Sequence, residues 1–566
     1  MYRLLTSSEI RQAEARAAAA GVSSLSQMEA AAAKAGIVAC AMLAGWGQSL
    51  TPETRILILC GRGNNGGDGI ALARHLRCAG ATVDLMLCAG DQALTVEAAA
   101  NLAAWQAGGG EALTPEGTPD FWRLLSGRLA AAPALVIDAL LGTGQTRSPA
   151  GAVARTVSLV RGAQAVGNCP VLALDVPTGL SADTGCSYEP YLPATATVTF
   201  GLPKPGLFTG DGPDLAGEIT LASLGWPEPE PAGNDLAGRT YLLTAHAAQQ
   251  GLPSRPAGVH KGDAGRVLIL AGSGGMSGAA VLSGLGAIRG GAGLLTVATP
   301  SSQQSVVAGA LAEAMTLPLP ETADGRLLAA DGGAVDSLLA AAGGDAVAAG
   351  PGLRGGQGVR AVLERLLSDV DCPLVLDADA LNAFAGSPEA LATGPPGRPL
   401  IVTPHPGELS RLLGCPIGQV AADRLAAARR LSGITGAICL LKGRGTVIVS
   451  PAGPAYLIPA GNPGMATGGM GDVLTGLVAA VAAAWNRVER DRSGQAGGLS
   501  GLALRVAAAA LVHAVAGDLA ALDCGSTGLL ASDVAVRLPR ARDLICGLAP
   551  APPALARSLG GVKAVV

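Results

Sequence analysis

The stretch GRGNNGGDG, residues 61–69, follows the apolar run RILILC and spaces Gly61, Gly63 and Gly66 as a dinucleotide-binding turn does. Such a loop, opening a helix, offers backbone N–H groups to phosphate. Asn64, Asn65 and Asp68 add polar side chains that hydride transfer does not require. The turn also lacks the Lys-Ser/Thr ending of a P-loop. Polar residues recur wherever a later apolar run gives out: Asp138 ahead of LLGTGQTRSP, Asp175 in LDVPTGL, Lys204 in TFGLPKPG. In open α/β sheets ligands bind beyond the carboxyl ends of strands, so acids and amides from several strands at one edge describe a site. Any one of them serves equally well as a helix cap or turn residue. The set together is better explained as a site. Asn65, Asp138 and Thr178 offer only oxygen, which suits a hard cation and not zinc.

The second half carries the sharpest pattern, GNPGMATGGMGDVLTG, residues 461–476. Gly468, Gly469 and Gly471 leave the backbone free to approach an anion. The run DVLTGLVAAVAAAW predicts a helix whose N-terminal N–H groups face that anion. Asp472 stands at its mouth. An acid there repels phosphate unless it takes a proton from a substrate hydroxyl as phosphoryl transfer begins. The plain alternative is an N-cap, which the surrounding glycines disfavour. LLKGRGTVIVS supplies Lys442 and Thr446, suited to nucleotide phosphates. TPHPGELSRLLG supplies His405 and Glu408; a histidine between prolines is often a turn residue, yet here it recurs with the other motifs and is expected to touch ligand. AGPGLRGG places Gly350 and Gly352 at a further strand end, and GSGGMSGAAVLSGLGAIRGGAG predicts a glycine-rich substrate loop leading into a helix.

These residues need strands to present them. RILILC, ATVDLMLC, ALVIDAL, PVLALDV and TATVTFG alternate with Ala-rich helical stretches, as do GRVLILAG, AGLLTVATP, DAVAAGPGL, CPLVLDAD, PLIVTPHPGE and AICLLKG. Continuous apolar runs bounded by glycine suit buried parallel strands, and the alternation predicts two doubly wound α/β/α sandwiches. The expected division is a first domain over 1–225, a Pro-, Gly- and acid-rich linker over 226–240, a second domain over 241–550 and a C-terminal tail over 551–566. DRSGQAGGLSG, 491–501, reads as a surface loop. Ser8 is a candidate N-cap for the first helix.

At 566 residues the chain exceeds one ordinary domain. Its net charge of −4 implies no basic surface for nucleic acid. No uninterrupted apolar run reaches membrane-spanning length; GLALRVAAAALVHAVAGDLAAL carries Arg505, His513 and Asp518. The start lacks the order of a signal peptide. The eleven cysteines are scattered and never form C-x-x-C, which points to reduced thiols in a cytoplasm. The expectations are thus a cytoplasmic protein and a homo-oligomer, with small-molecule substrates, no nucleic acid and no membrane.

GRGNNGGDGIALARHL, DALLGTGQTRSPAG, LDVPTGLSADTG and TFGLPKPG, in that order, resemble the YjeF N-terminal domain, the NAD(P)H-hydrate epimerase family, over roughly residues 1 to 225. The resemblance implies a Rossmann-like fold. It implies that Asn64, Asn65, Gly66, Gly67 and Asp68, with Gly142, Thr143, Gly144, Gln145, Thr146, Arg147 and Ser148, hold the hydrated dinucleotide, and that potassium sits at Asn65, Asp138 and Thr178. Asp175 would contact substrate and, with Lys204, transfer protons. Arg62 stands where that family usually has proline, and Thr178 where serine is common; threonine keeps the hydroxyl and the carbonyl. HKGDAG, GPGL, LDADALN, TPHPGE, LLKGRGT and GNPGMATGGMGD resemble the ribokinase-like NAD(P)H-hydrate dehydratase family, from about 260 to about 545. That resemblance implies adenine nucleotide at Lys442, Gly443, Arg444, Gly445, Thr446 and Gly471. It implies hydrate at Ala279, Gly352, His405 and Asp472, ADP as co-substrate and magnesium on the phosphates.

The two resemblances imply a metabolite-repair enzyme. One domain would epimerise the R and S forms of NAD(P)HX, and the other would dehydrate the S form with ADP, giving AMP and phosphate. Inverting the hydroxyl-bearing carbon needs a proton donor and acceptor near it. Hydroxide is a poor leaving group; phosphorylating the ring hydroxyl creates a good one. The alternative is a kinase of the hydroxymethylpyrimidine or thiazole type with a regulatory or partner-binding first domain. A dehydrogenase is the weakest reading, because Asp84 falls inside TVDLMLC and not at its end as the ribose contact requires.

Overall fold

The computed structural model describes residues 1–88, 93–167, 169–226, 238–252, 255, 257–328, 332–491, 498–560 and 562–565. The chain divides into two compact units, one of residues 2–234 with 562–566, the other of residues 235–561 with Met1. The division falls inside the expected linker, whose residues 227–237 lie outside the described ones.

All the strands of the first unit's sheet run parallel. Their order is Lys563–Val565, Glu218–Ala222, Ala196–Phe200, Val171–Leu174, Leu135–Ala139, Arg55–Cys60, Thr82–Leu87 and Ala112–Leu113. Every expected strand is present. From Arg55–Cys60 the chain passes first to one side, to Thr82–Leu87, and later to the other, to Leu135–Ala139. The order therefore reverses between Arg55–Cys60 and Leu135–Ala139, where a crevice opens at the carboxyl edge. The central strands are apolar throughout because helices cover both faces; one side packs Ile56, Ile58, Ile70 and Ile137, the other Leu57, Leu59, Val136 and Val157.

In the second unit the order is Thr240–Leu242, Ala455–Leu457, Val447–Val449, Ile438–Leu441, Leu400–Val402, Leu374–Leu376, Ala346–Ala349, Arg266–Leu270, Leu294–Pro300 and Met315–Leu319. It is parallel except at Val447–Val449, which pairs antiparallel on both sides. The reversal of order lies between Arg266–Leu270 and Ala346–Ala349.

Three local expectations are corrected. The first helix, Ser7–Ala19, is capped by Thr6 and not by Ser8: the Thr6 hydroxyl accepts from the Glu9 N–H, and the Glu9 carboxylate accepts from the Thr6 N–H at 2.9 Å. The expected C-terminal tail carries regular structure in its described residues, 551–560 and 562–565. Pro553–Leu555 forms a 3₁₀ turn with Leu555 buried, and Lys563–Val565 adds a parallel strand beside Glu218–Ala222, giving that edge a partner. Of the expected loop 491–501, residues 492–497 lie outside the described ones, while Gly498 to Gly501 open the helix Gly498–Cys524. That helix and Ser24–Gly45 are long and apolar enough to cross a membrane. Here Val506, Leu511, Val515 and Leu519 of the former lie in the second unit's core, and Ala31, Ala35 and Ala39 of the latter in the first's.

The helix that follows the GMGD motif, Met470–Asp491, packs on Ser277–Gly290 with its backbone almost touching. A Cβ on Gly476 would stand 1.8 Å from Ser283 O, and one on Gly286 2.2 Å from Val473 O. Glycine is needed at both positions because of this approach, which fixes where Met470–Asp491 begins. Gly476→Ala is expected to destabilise the second unit by about 1–3 kcal/mol, read as a lower denaturation midpoint in urea.

Candidate active sites

In the first unit the glycine turn lies at the reversal of strand order. Gly61 N–H donates to Ala139 O at 2.9 Å, and a Cβ on Gly61 would lie 1.9 Å from Leu140 O. A Cβ on Gly66 would lie 1.9 Å from Gly61 O, whereas one on Gly63 would meet nothing within 4 Å. The turn is thus closed on its protein side and open on its outer side. The first-turn N–H groups of Asn64–Cys78 are left for a ligand. Arg62 is exposed, and the structure assigns its side chain no role.

Beside the turn the oxygen donors converge. Asp138, wholly buried, accepts from Thr178 N at 2.8 Å, Thr178 Oγ1 at 2.7 Å and Leu140 N at 3.2 Å. Burial pushes its carboxyl up to about 6, against the pull of those bonds. Asn65 Nδ2 donates to Leu141 O at 2.9 Å, and Leu141 N donates to Thr178 Oγ1 at 3.2 Å, so the backbone of one residue, Leu141, links Asn65 to Thr178. Asn65 Oδ1 is buried without a hydrogen-bond partner. A buried orphan oxygen beside a buried carboxylate fits a hard monovalent cation.

The next strand ends bring Asp175 to Lys204. Lys204 is fully buried and its ammonium is fully used, pairing with Asp175 Oδ1 and donating to Phe200 O at 2.8 Å and Thr199 Oγ1 at 3.1 Å. Asp175 Oδ1 also accepts from Phe200 N at 3.1 Å. Asp175 has φ +66°, a left-handed backbone that costs a non-glycine residue about 1–3 kcal/mol and that occurs at functional sites. Burial, Asp175 and Glu14 push Asp68 well above the usual carboxylate range; burial and Asp175 raise Glu14. Glu14, on the first helix, was not foreseen, and nothing in its local sequence marks it.

The loop from Gly142 to Ser148 is mixed. Gly144, Thr146, Arg147 and Ser148 are exposed, Thr143 O accepts from Ser7 Oγ at 2.8 Å, and Gln145 is buried. Asp84 lies within Thr82–Leu87 and is paired with Arg128, so it is not a ribose contact.

The second unit repeats the pairing. Lys442 Nζ donates to Asp377 Oδ1 at 2.5 Å and lies 3.8 Å from Glu408 Oε2. Thr475, on the Met470–Asp491 helix, donates to Asp377 Oδ2 at 2.7 Å. Burial opposes the Lys442 charge, but Asp377 and Glu408 outweigh it and the ammonium is held more firmly than usual. A Cβ on Gly471 would lie 3.2 Å from Lys442 Nζ, so glycine there lets the helix start meet the lysine. Asp472 is the third residue of the helix, not its cap. Burial, then Asp377, push its carboxyl up to about 7. Asp377, 1% exposed, was not singled out from the sequence, although its place after PLVL obeys the same strand-end rule.

The remaining expected contacts divide. Gly443 has φ +132° and Gly445 φ +59°, turning the loop in which Thr446 Oγ1 donates to Gly443 O at 2.8 Å; Arg444 is exposed. Ala279 and Gly352 meet: a Cβ on Gly352 would lie 2.8 Å from that of Ala279. Just beyond, Arg354 N donates to Asp379 Oδ2 at 2.8 Å, and Asp379 contributes to raising Asp472. His405 fulfils the turn reading first. Its Nδ1 caps Pro406–Leu413, accepting from Gly407 N at 2.9 Å, while Nε2 faces Glu408 Oε1 at 3.4 Å. Burial, then Lys442, lower its pKa, so the ring is neutral at neutral pH and able to accept.

Two parallel-sheet units, each with a buried lysine–aspartate pair at its carboxyl edge and a glycine-lined helix start, define a two-domain α/β protein built to handle phosphorylated nucleotides. Residues 24–206 match the family described as YjeF-related protein N-terminus, and residues 267–540 match that described as NAD(P)H-hydrate dehydratase. The chain is 41% identical over 495 residues to the bifunctional NAD(P)H-hydrate repair enzyme Nnr of Moorella thermoacetica, covering 87% of this chain and 88% of that protein. It is 34% identical over 507 residues to the enzyme of the same name from Escherichia coli, covering 87% and 86%. A solved ADP/ATP-dependent NAD(P)H-hydrate dehydratase from Bacillus subtilis, co-crystallised with ATP/Mg2+, is 30% identical and covers 56% of this chain and 100% of that one, with a TM-score of 0.43. The chain belongs to the family of bifunctional NAD(P)H-hydrate repair enzymes. That membership sets aside the small-molecule kinase reading.

Removing one partner of a buried pair leaves the other charge uncompensated. Lys204→Met is expected to destabilise the first unit by about 3–5 kcal/mol, measured by chemical denaturation.

Proposed function

We propose that the first unit interconverts R- and S-NAD(P)HX and that the second dehydrates the S form, consuming ADP and releasing AMP and phosphate. The observation that carries this reading is Asp472, a carboxyl raised to about 7 at the start of a glycine-preceded helix, beside Lys442. A base with that pKa removes a proton at neutral pH without being permanently charged against phosphate. Asp472 takes the proton of the ring hydroxyl, the oxygen attacks the terminal phosphorus of ADP, and AMP leaves. Lys442 and the first-turn N–H groups hold the charge of the transferring phosphoryl. Loss of phosphate from the carbon that bore the hydroxyl and of a proton from the adjacent ring carbon then forms the double bond and restores the dihydropyridine. Lys442 through Thr446 with Gly471 cradle the nucleotide, and Ala279, Gly352 and His405 face the hydrate. Magnesium bound with the nucleotide would be held by the Asp379 carboxyl and would supply charge neutralisation to the phosphates.

In the first unit Asp175 is the proton-transferring group. Lys204, all three of its N–H bonds committed, holds Asp175 in place. Asp68 and Glu14, whose carboxyls burial and Asp175 push upward, hold a proton more readily than ordinary carboxylates and are the acids we assign as donors. Asn64 to Asp68 and the loop from Gly142 to Ser148 bind the dinucleotide. Asn65, Asp138 and Thr178 would hold potassium, supported by the orphan Asn65 Oδ1. The ion would supply a fixed positive charge beside Asp138. We read the protein as a soluble homo-oligomer of the cytoplasm, independent of nucleic acid and membrane.

Purified protein given mixed R- and S-NADHX with ADP is expected to recover all of it as NADH, followed by absorbance. Asp175→Asn should recover only the S half, and Asp472→Asn none. Full recovery by either variant would refute the assignment of that residue. Because the Asp472 base must be ionised, kcat/KM for dehydration should rise about tenfold from pH 6 to pH 8 and then level. A flat profile would remove Asp472 as the base.

A further inference from the structure

Gln145 lies in the loop expected to bind dinucleotide, yet its side chain is buried and turned away from solvent. Its amide is committed on both ends. Nε2 donates to Gly142 O at 3.2 Å and to Pro177 O at 3.3 Å, and Oε1 accepts from Gly179 N at 2.5 Å. These partners sit on two loops, one after Leu135–Ala139, the strand that carries Asp138, and one after Val171–Leu174, the loop that carries Thr178.

One anchor of this bridge is rigid. Gly179 has φ +92°, and a Cβ there would stand 2.5 Å from Tyr191 Cα, so its turn has no room to shift. The other anchor lies against Asn65. A Cβ on Gly142 would lie 3.2 Å from Asn65 Cβ, and the preceding residue, Leu141, accepts from Asn65 Nδ2 and donates to Thr178 Oγ1. Gln145 therefore ties the Gly179 turn to Gly142, the neighbour of the residue that links Asn65 to Thr178.

We propose that Gln145 is a positioning residue, a clamp between the two strand-end loops that sets the spacing of the Asn65, Asp138 and Thr178 oxygens and with it the monovalent-cation dependence of epimerisation. This rests on the potassium reading above. Residues that orient the ligands of a metal change its affinity without touching it. Gln145 acts on the substrate only through the loop it holds.

The test uses the full chain and two variants. Gln145→Met keeps the length and removes all three bonds; Gln145→Glu keeps the acceptor for Gly179 N–H and loses both donors. Two quantities are read: the potassium concentration for half-maximal epimerisation, and the rise in the first unit's Tm on adding potassium instead of sodium. For Gln145→Met the half-activating concentration is expected to rise about tenfold or more, and most of the potassium-specific Tm rise to disappear. Gln145→Glu should fall between, and ADP-dependent dehydration of S-NADHX by the same preparations should be unchanged. Wild-type potassium dependence in both variants would overturn the clamp alone. A wild-type protein with neither potassium activation nor a potassium-specific Tm rise would overturn the cation reading, and the clamp with it. If Gln145→Met fails to fold, Gln145→Glu decides by the same two readings.

Discussion

A buried ammonium must be matched by a carboxylate and by acceptors for its N–H bonds, and both sites are organised by that requirement. Lys204 spends its donors on Asp175, Thr199 and Phe200 O. Lys442 sits between Asp377 and Glu408, and Asp377 is steadied by Thr475. Isolated charges at such depth are not tolerated, whereas a paired and hydrogen-bonded one is. The pairing also acts on the acids around it. Asp175 helps raise Asp68 and Glu14, and Asp377 helps raise Asp472. Each site thus holds an acid fixed by a lysine next to acids whose charge is disfavoured, a separation of roles that acid–base chemistry needs.

The second requirement is close backbone approach. The turn at Gly61 to Gly66 folds onto Leu140 O and its own carbonyl, and Gly350 lets Asp377 O come where a Cβ would stand 1.8 Å away. At Gly476 and Gly286 two helices touch backbone to backbone. These contacts aim helix N-termini at the strand ends with little play. A glycine-rich sequence with few aromatic residues is well suited to this, because small side chains allow the elements to approach where large ones would hold them apart.

Much of this was legible in the sequence. Parallel strands buried on both faces read as continuous apolar runs, so the expected strands all formed. Asp175 and Lys204 were placed together because each follows such a run, and the fold brings consecutive strand ends to one edge. The misses have physical causes as well. Lys563–Val565 was taken for tail because a short edge strand is defined by its partner and not by its own residues. Ser8 reads as a cap from its residue type alone, whereas Thr6 is the cap, because capping depends on backbone angles that residue type does not fix. Asp377 hid in LDADALN, where three polar residues compete for one role and only burial separates them.

The sequence by itself determined the two sandwiches, the family and the strand ends that carry chemistry, because periodicity and glycine spacing are local properties of the chain. Tertiary structure alone decided which charges are buried, and hence that the Lys204 donors are committed to Asp175, Thr199 and Phe200 O, that burial and Asp377 push the Asp472 carboxyl up to about 7, and that His405 caps a helix. It also decided that Gln145 faces inward while its neighbours face out. Burial and hydrogen-bond partnership join residues tens of positions apart, and no local pattern encodes them.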